Sequence, residues 1–509
     1  MSNRDIQETW HYHHGTKHPG GYLMDYRHQF DPSQRPLLYK IYTDLEPIAL
    51  PLDTEPRGVP ALEAIATNII TADTERIPDI DTVARLLYFS AGVTKRIQYS
   101  WGEMYFRAAA CTGALYHIEL YVVCGDLPGL DAGVYHFEPQ INALKRLRQG
   151  DYRRVLIEAS GSEPAVTHAP AILVYSDVFW RNAVKYQARE YRHAFWDSGT
   201  ILSHTLVMSS THDLPAKVVA GFVDEMVNEL LSLDTRREVA LALVPIGHTL
   251  AETAGPAPPV EPLSLPVKPI SNYEIDFPAI REMHQASVLK EPEEVIDWRG
   301  RSPRPDMPAP EGALHPLQPY SEDEMPQDPI ETVIIRRGST RQYARTSIPF
   351  QQLSTILKQA LVGVPADFLE PLGADLNHAY LIVNAVDGLP AGAYVYHGDE
   401  SALELLKLGD FRQQAGYLGL NQDLAADASA DIFFMTDLKP ILARFGNRGY
   451  RAAQLDASIS AGRVYLAAYA QRLGASGLTF FDDAVTSFFS PHAHGKSVMF
   501  MMTLGKKQT

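Results

Sequence analysis

The apolar positions of this chain run through the same order twice. A helical period begins near Val83 (VARLLYFSAGV) and returns from Gln351 (QQLSTILKQALVGV). Each is followed by a continuous apolar run of strand length, HIELYVVC from His117 and AYLIVNAV from Ala379. A glycine-containing, hairpin-like segment and a short helix come next, then a second buried run, AILVYS from Ala171 or IFFMT from Ile432. A long helix is predicted after each, RHAFWDSGTILSHTLVMSSTH from Arg192 and RAAQLDASISAGRVYLAAYAQRLG from Arg451. Both series close on a strand, ALALVPIG from Ala240 and VMFMMTLG from Val498. Helices alternating with buried strands predict an α+β chain of two layered α/β/α domains.

The two series also match residue by residue. GLDAGVYHFEPQINALKRLRQGDYRR from Gly129 aligns with GLPAGAYVYHGDESALELLKLGDFRQ from Gly388, an offset of 388 − 129 = 259. The same offset carries Asp151 onto Asp410, Tyr191-Arg192 onto Tyr450-Arg451, Asp197 onto Asp456 and Phe222 onto Phe481. APAILVYSD pairs with SADIFFMTD at 429 − 169 = 260, and VPIGH with MTLGK at 502 − 244 = 258. So steady an offset marks a duplicated domain. The expected copies are residues 61–250 and 330–509, joined by a proline-rich connection over 251–329. Residues 255–329 hold 16 of the 36 prolines, which argues there for an extended segment without helix or central strand. Residues 1–60, rich in Tyr, His and Pro, read as an N-terminal arm outside both copies.

Composition narrows the function. The chain has 509 residues, too many for one core. A net charge of −16 speaks against nucleic-acid or anionic-membrane binding. Two cysteines exclude a disulfide scaffold and any Cys-rich zinc or iron–sulfur site. The N-terminus is polar, and no apolar run nears the ~18–20 residues of a membrane span, so a cytoplasmic protein without membrane contact is expected. Against this acidic background the segment IRRGSTRQY stands out: Arg336, Arg337, Ser339 and Arg341 lie just before a helix. Guanidinium forks and a hydroxyl so placed suit a phosphate monoester; the plain alternative is a solvated basic patch. WHYHHGTKH, residues 10–18, carries four of the 18 histidines, but no partner set with metal-site spacing accompanies it and no metal is expected.

RRGSTRQY followed by IPFQQLSTIL resembles the opening of the nitroreductase-like flavoproteins, whose R-R-S-x-R pattern grips the phosphate of FMN. The stretch from Arg107 to Tyr121 (RAAACTGALYHIELY) resembles the R…P-S-A-G-A-L-Y-P-x-E-x-Y stretch of the SagB-like dehydrogenases, which include the azoline oxidases of thiazole/oxazole-modified peptide pathways. That resemblance implies cofactor contacts from Arg107, Cys111, Thr112, Gly113 and Ala114. KYQAREYRHAFWD, from Lys185, is similar to their K-Y-x-x-R-x-Y-R-x-x-x-x-[DE], which implies catalytic roles for Lys185 and Tyr186. The family also implies backbone donors at Gly477 and Leu478 and a terminal phosphate ligand at Lys506. Asp197 and Asp456 are expected to cap or to bind a neighbouring arginine. WHYHHGTKH itself resembles an N-terminal Y-H-E-x-T-K-H signature, with His14 in place of the acid.

The two copies depart from the family in complementary ways. The first has ATNIITADTERIPDIDT where R-R-S-x-R would stand; the second has EPLGADLNHAY in place of P-S-A-G-A. In the family two protomers interlock around each FMN. The resemblance therefore implies an intramolecular pseudo-dimer with one FMN site, gripped by the second copy and covered by the first. Arg444-Phe445 stands at the place of Lys185-Tyr186 in the second copy (444 − 185 = 259) and lacks the phenol. The implied function is an FMN-dependent oxidoreductase of the SagB-like type acting on a small or peptide-derived substrate, azoline-to-azole oxidation being the best-defined reaction of that branch. Two alternatives stay open. One is an NAD(P)H-dependent nitro- or quinone reductase, which needs no separate nicotinamide domain. The other is a degenerate flavin-binding scaffold without catalysis.

Overall fold

The computed structural model describes residues 2–508 apart from 19–20, 22, 26–29, 32–33, 101, 252–254, 304–306 and 372. Pieces of the arm, of the proline-rich connection and of EPLGADLNHAY therefore lie outside the described residues.

Each half is built on one large sheet whose ladders are all antiparallel. In the first the strand order is Pro47–Ala49, Ala143–Gln149, Gly133–Glu138, Ile118–Cys124, Ala171–Val178, Glu238–Ile246. In the second it is Leu314–Pro316, Ala402–Leu408, Gly392–His397, His378–Val383, Ala430–Thr436, Ser497–Gly505, Gly474–Leu478. The extra edge strand of the second half has a vestige in the first, where Ala216 and Val219 bridge to Ile246 and Leu243. The central strands are buried along their whole length, as their unbroken apolar runs predict. The long helices run over Glu190–Ser210 and Arg448–Ala470, and the amphipathic ones over Ile80–Ala91 and Phe350–Ala360. The first amphipathic helix stops short of Val93 because Val93–Tyr99 pairs instead with Gly102–Arg107, a hairpin that the second half lacks.

The reading of 251–329 as free of regular structure is corrected. It carries helices Pro278–Ala286 and Pro292–Trp298 and the strand Leu314–Pro316. Pro278 and Pro292 open their helices, where a missing N–H costs nothing, so proline density here marks helix starts. The first of these helices and the strand repeat elements of the arm, Gln7–Gly15 and Pro47–Ala49. Pro47 in the arm strand faces Lys145, and Leu314 faces Glu404, the residue at 145 + 259. The arm is thus not outside the repeat.

The halves meet across a pseudo-twofold axis where the two long helices pack on each other. Gly199 faces Ser458, and Gly462 faces Ser203; a Cβ on Gly199 would fall 1.9 Å from Ser458 Oγ, and one on Gly462 2.2 Å from Ser203 Oγ. Since 458 − 199 and 462 − 203 both equal 259, each pair consists of equivalent positions meeting on the axis.

Beside the crossing lie two reciprocal ion clusters. Asp482 of the second half receives Arg192 Nη1 (2.6 Å) and Arg189 Nη1 (3.1 Å) of the first. Asp224 of the first half receives Arg448 Nη1 (2.5 Å) and Arg451 Nη1 (3.0 Å) of the second. Arg189 stacks over Phe480 and Arg448 over Phe222, so the counterpart of Phe222 is Phe480, one residue before the sequence alignment's Phe481. The arm and its counterpart lock onto these clusters. Arg192 donates to His13 O (2.6 Å) and Thr16 Oγ1 (3.0 Å). Arg451 donates to His284 O (3.1 Å) and Ser287 Oγ (2.9 Å). His13 Nδ1 meets the Tyr450 hydroxyl and His284 Nδ1 the Tyr191 hydroxyl, each at 3.2 Å. WHYHHGTKH is therefore one of two docking helices, its mate being REMHQASVL from Arg281.

Burial raises the Asp482 and Asp224 carboxyls, but their paired arginines override it and hold both below the ordinary carboxylate range. Their contribution to stability is thus complete at neutral pH and is lost only as acid protonates them, below about pH 4. Asp482→Ala and Asp224→Ala should each cost about 3–5 kcal/mol by leaving two buried guanidiniums uncompensated, read as a drop in thermal midpoint. A drop for one and none for the other would contradict the reciprocity.

Candidate functional site

RRGSTR leaves the helix Ile330–Arg336 and runs along the seam. Arg337 reaches into the other half: its Nε donates to Ala108 O (2.7 Å) and its Nη2 to Arg107 O (3.1 Å). Its guanidinium also lies 5.9 Å from the Tyr465 ring. Ser339 Oγ stands 3.4 Å from the Tyr465 hydroxyl, which accepts the Gly477 N–H at 2.5 Å. Lys507 Nζ sits 4.0 Å over the Tyr469 ring. Arg341 and Lys506 are exposed. Arg336 departs from expectation: its guanidinium is spent on Asp328 (2.7 Å) and Tyr469 O (2.7 Å), within its own half. Gly477 likewise gives its N–H to Tyr465, and Leu478 is half-buried in the edge ladder opposite Met501.

Facing this segment is the loop after Arg107. Gly113, Ala114 and Tyr116 all adopt left-handed backbone, with φ of 64°, 52° and 48°. Two of these carry side chains, a conformation that costs of order 1–3 kcal/mol per residue and persists only where the surroundings enforce it. Asp197, two turns into the long helix, enforces it. Its carboxylate accepts Thr112 N (2.9 Å), Thr112 Oγ1 (2.8 Å), Cys111 Sγ (3.0 Å) and His117 Nε2 (2.7 Å). Asp197 was expected to bind an arginine or a cap; instead it clamps this loop. Asp456, its mate, accepts Leu376 N (2.9 Å) and Asn377 Nδ2 (2.8 Å).

Beneath Asp197 lies a charge cluster that sequence reasoning missed. His117 Nδ1 is 2.7 Å from Asp177 and 3.4 Å from Glu190, all fully buried. Burial disfavours charge on His117, but Asp177 and the hydrogen bonds to Asp177, Asp197 and Glu190 outweigh it and keep the ring cationic well above the usual histidine range. Burial, then Asp177, raises the Glu190 carboxyl. Cys111, His117 and Asp197 could geometrically hold a metal ion, as could His117, Asp177 and Glu190; mutual hydrogen bonds already link most of these atoms. The available signal was that Cys111 and His117 both replace residues of the resembled P-S-A-G-A-L-Y-P pattern.

Lys185 and Tyr186 stand on the loop's other side. A Cβ on Gly113 would fall 2.9 Å from the Tyr186 hydroxyl, so only glycine admits that approach. Lys185 Nζ is 5.0 Å over the Tyr186 ring. Burial, then the guanidiniums of Arg35 and Arg341, lower the Lys185 amine from its ordinary value. Arg35, from the arm, donates to Ala114 O at 3.0 Å, a contact that the sequence gave no reason to expect. Burial, then Asp197 and Cys111, raise the Tyr186 phenol. Burial, then Asp197, also raises the Cys111 thiol, which stays protonated. Arg107 offers no free guanidinium: it is buried between Tyr39 and Tyr116 and donates to Leu38 O (2.6 Å).

The pseudo-twofold mate of this arrangement is built differently. Arg463 takes the place of His204 (463 − 259 = 204) and donates to Gly363 O (2.6 Å) and Asn68 Oδ1 (2.6 Å). Asn68 follows the helix Ala61–Ala66 as Gly338 follows Ile330–Arg336. A buried guanidinium from the long helix thus fills the space that, on the other side, is bordered by Arg337.

Residues 334–506 match the Nitroreductase family. A nitroreductase-type protein of Methanocaldococcus jannaschii is 24% identical over 168 residues, 33% of this chain and 80% of that protein. The Escherichia coli microcin B17-processing protein McbC is 29% identical over 129 residues, 24% of this chain and 47% of that protein. A crystal structure of a nitroreductase-type protein from Anabaena variabilis superposes with a TM-score of 0.78 at 26% identity, covering 98% of this chain and 99% of that one. Among the described residues no helix is long and apolar enough to cross a membrane.

Asp197→Ala should release the strained loop. Amide exchange over 111–116 is expected to accelerate about tenfold or more, with 374–377 unchanged; equal protection in the variant would show that the loop holds itself.

Proposed function

We propose that this chain, two nitroreductase-like halves closed on each other, is an FMN-dependent oxidoreductase with one composite site, gripped by the second half and covered by the first. The observation that carries this reading is Arg337, which crosses from RRGSTR to the backbone at Arg107 and Ala108, directly before the cover loop. The residues fit the group. Among the described residues Arg337 Nη1 has no hydrogen-bond partner, and Ser339, Arg341 and Lys506 add a hydroxyl and two exposed cations, a donor set suited to a phosphate monoester. Arg463 filling the mated position argues for one FMN per chain.

When bound, the flavin would supply two-electron acceptance or donation. The chain's own residues would handle binding and protons. Lys185, its amine lowered, would take a proton from substrate at Nζ. Tyr186, its phenol raised, stays protonated and would donate a hydrogen bond to substrate. Asp197 would keep the cover loop in place. Similarity to McbC supports a SagB-like dehydrogenation of a peptide-derived substrate, azoline to azole.

Purified protein should be yellow, with close to one FMN per chain. Arg337→Ala and Arg341→Ala should abolish retention; unchanged occupancy would refute the phosphate assignment, and two FMN per chain the single site. A colourless chain that takes up no FMN would leave a scaffold. Lys185→Ala and Tyr186→Phe should keep the flavin while lowering turnover by about 10²-fold or more, the contribution usual for a general acid or base. Wild-type rate should rise with pH through the lowered Lys185 amine and then level, since the base works deprotonated. Rapid bleaching by NADPH would instead favour the reductase.

A further inference from the structure

The duplication offers an internal comparison around one carboxylate. In the first half Asp197 is satisfied by four donors, including the cationic ring of His117. In the second half its counterpart Asp456 has lost that cation. The strand registers equate Tyr121 with Tyr380, facing Val174 and His136 or Phe433 and Val395, so Leu376 stands at the place of His117 and Asn377 follows it. Asn377 is neutral, and its Nδ2 donates to Asp456 Oδ2 and to Ala453 O. Asp456 Oδ1 has no partner, and neither has Asn377 Oδ1, although the two residues are only 1% and 7% exposed. Arg463, two turns along the helix, lowers the Asp456 carboxyl through its charge but gives its hydrogen bonds to Gly363 and Asn68.

Space accompanies the missing charge. Where the first half packs its loop onto Asp197, the second opens a cavity of about 670 Å³ lined by Asp375, Asn377, Asp456, Asp399 and Glu400. Among the described residues no Lys or Arg lines it. Burial, then the Asp456 and Asp399 carboxylates, raise the Asp375 carboxyl; burial raises Asp456 against hydrogen bonds from Asn377 and Leu376 and the charge of Arg463. An uncompensated buried carboxylate beside a roomy acidic cavity is unfavourable until a positive group enters.

We propose that this cavity binds a small organic cation, its primary ammonium or guanidinium group seated between Asp375 and Asp456 where the first half uses His117 and the Thr112 donors. The site lies away from the RRGSTR seam, and its occupancy does not depend on flavin. Calorimetric titration of the full chain with agmatine, and with n-butylamine, at neutral pH and low salt tests it. One saturable site per chain is expected, weakened at least tenfold in Asp375→Asn and in Asp456→Asn, with flavin content unchanged in Asp375→Asn. Asn377→His, which places an imidazole beside Asp456, should also weaken binding. Absence of saturable binding by either amine, or undiminished binding in Asp375→Asn, overturns the proposal. Binding of Mn²⁺ or Ca²⁺ at these carboxylates that the amines do not displace overturns the organic-cation class.

Discussion

The structure depends on two buried carboxylates, each held by two arginines of the opposite half. Desolvating so much charge is costly, and it is offset only when all partners arrive together. Asp482 with Arg189 and Arg192, and Asp224 with Arg448 and Arg451, therefore fix the rotation of one half against the other. Each cluster also uses a docking helix, since the spare donors of Arg192 and Arg451 need the carbonyls of His13 and His284. Every distance across the seam, including that from Arg337 to Ala108, follows from this arrangement.

On that frame the same fold supports two unlike environments. The first half tightens its loop through Asp197 and a cationic histidine and adds a hairpin, Val93–Tyr99 with Gly102–Arg107. The second lacks both and is open at the equivalent place. One side presents loose cations in a chain that is acidic overall; the other presents loose carboxylates. Fold similarity alone would not reveal this difference, because it resides in side chains on a shared backbone.

Much of the architecture was legible in the sequence because burial leaves a periodic trace. The sheet strands, the long helices and the 259-residue repeat all appear as apolar pattern. The docking helices did not, since their positions are specified by polar contacts to buried arginines, and WHYHHGTKH and REMHQASVL share only His13/His284 and the hydroxyls of Thr16 and Ser287 in those roles. Proline density misled for a similar reason, as Pro278 and Pro292 begin helices. At the site, clustered residues such as Arg337 and Ser339 could be read from spacing. His117, Asp177, Glu190 and Arg35 could not, because they come together only when four separate segments fold. Arg336 shows the converse: adjacent in sequence to the cluster, it is drawn away by Asp328.

The helix crossing has a consequence for how such a chain can change. In a dimer of identical subunits, a residue on the axis meets its own copy, so two glycines would leave a gap and two serines would collide. Here Gly199 sits under Ser458 and Ser203 over Gly462. Knob and hole occupy the same place in the two repeats, which a single gene copy encoding one subunit could never write. Covalent fusion turns a self-matching surface into a lock and key, and makes exchange of subunits with an unfused relative sterically unprofitable.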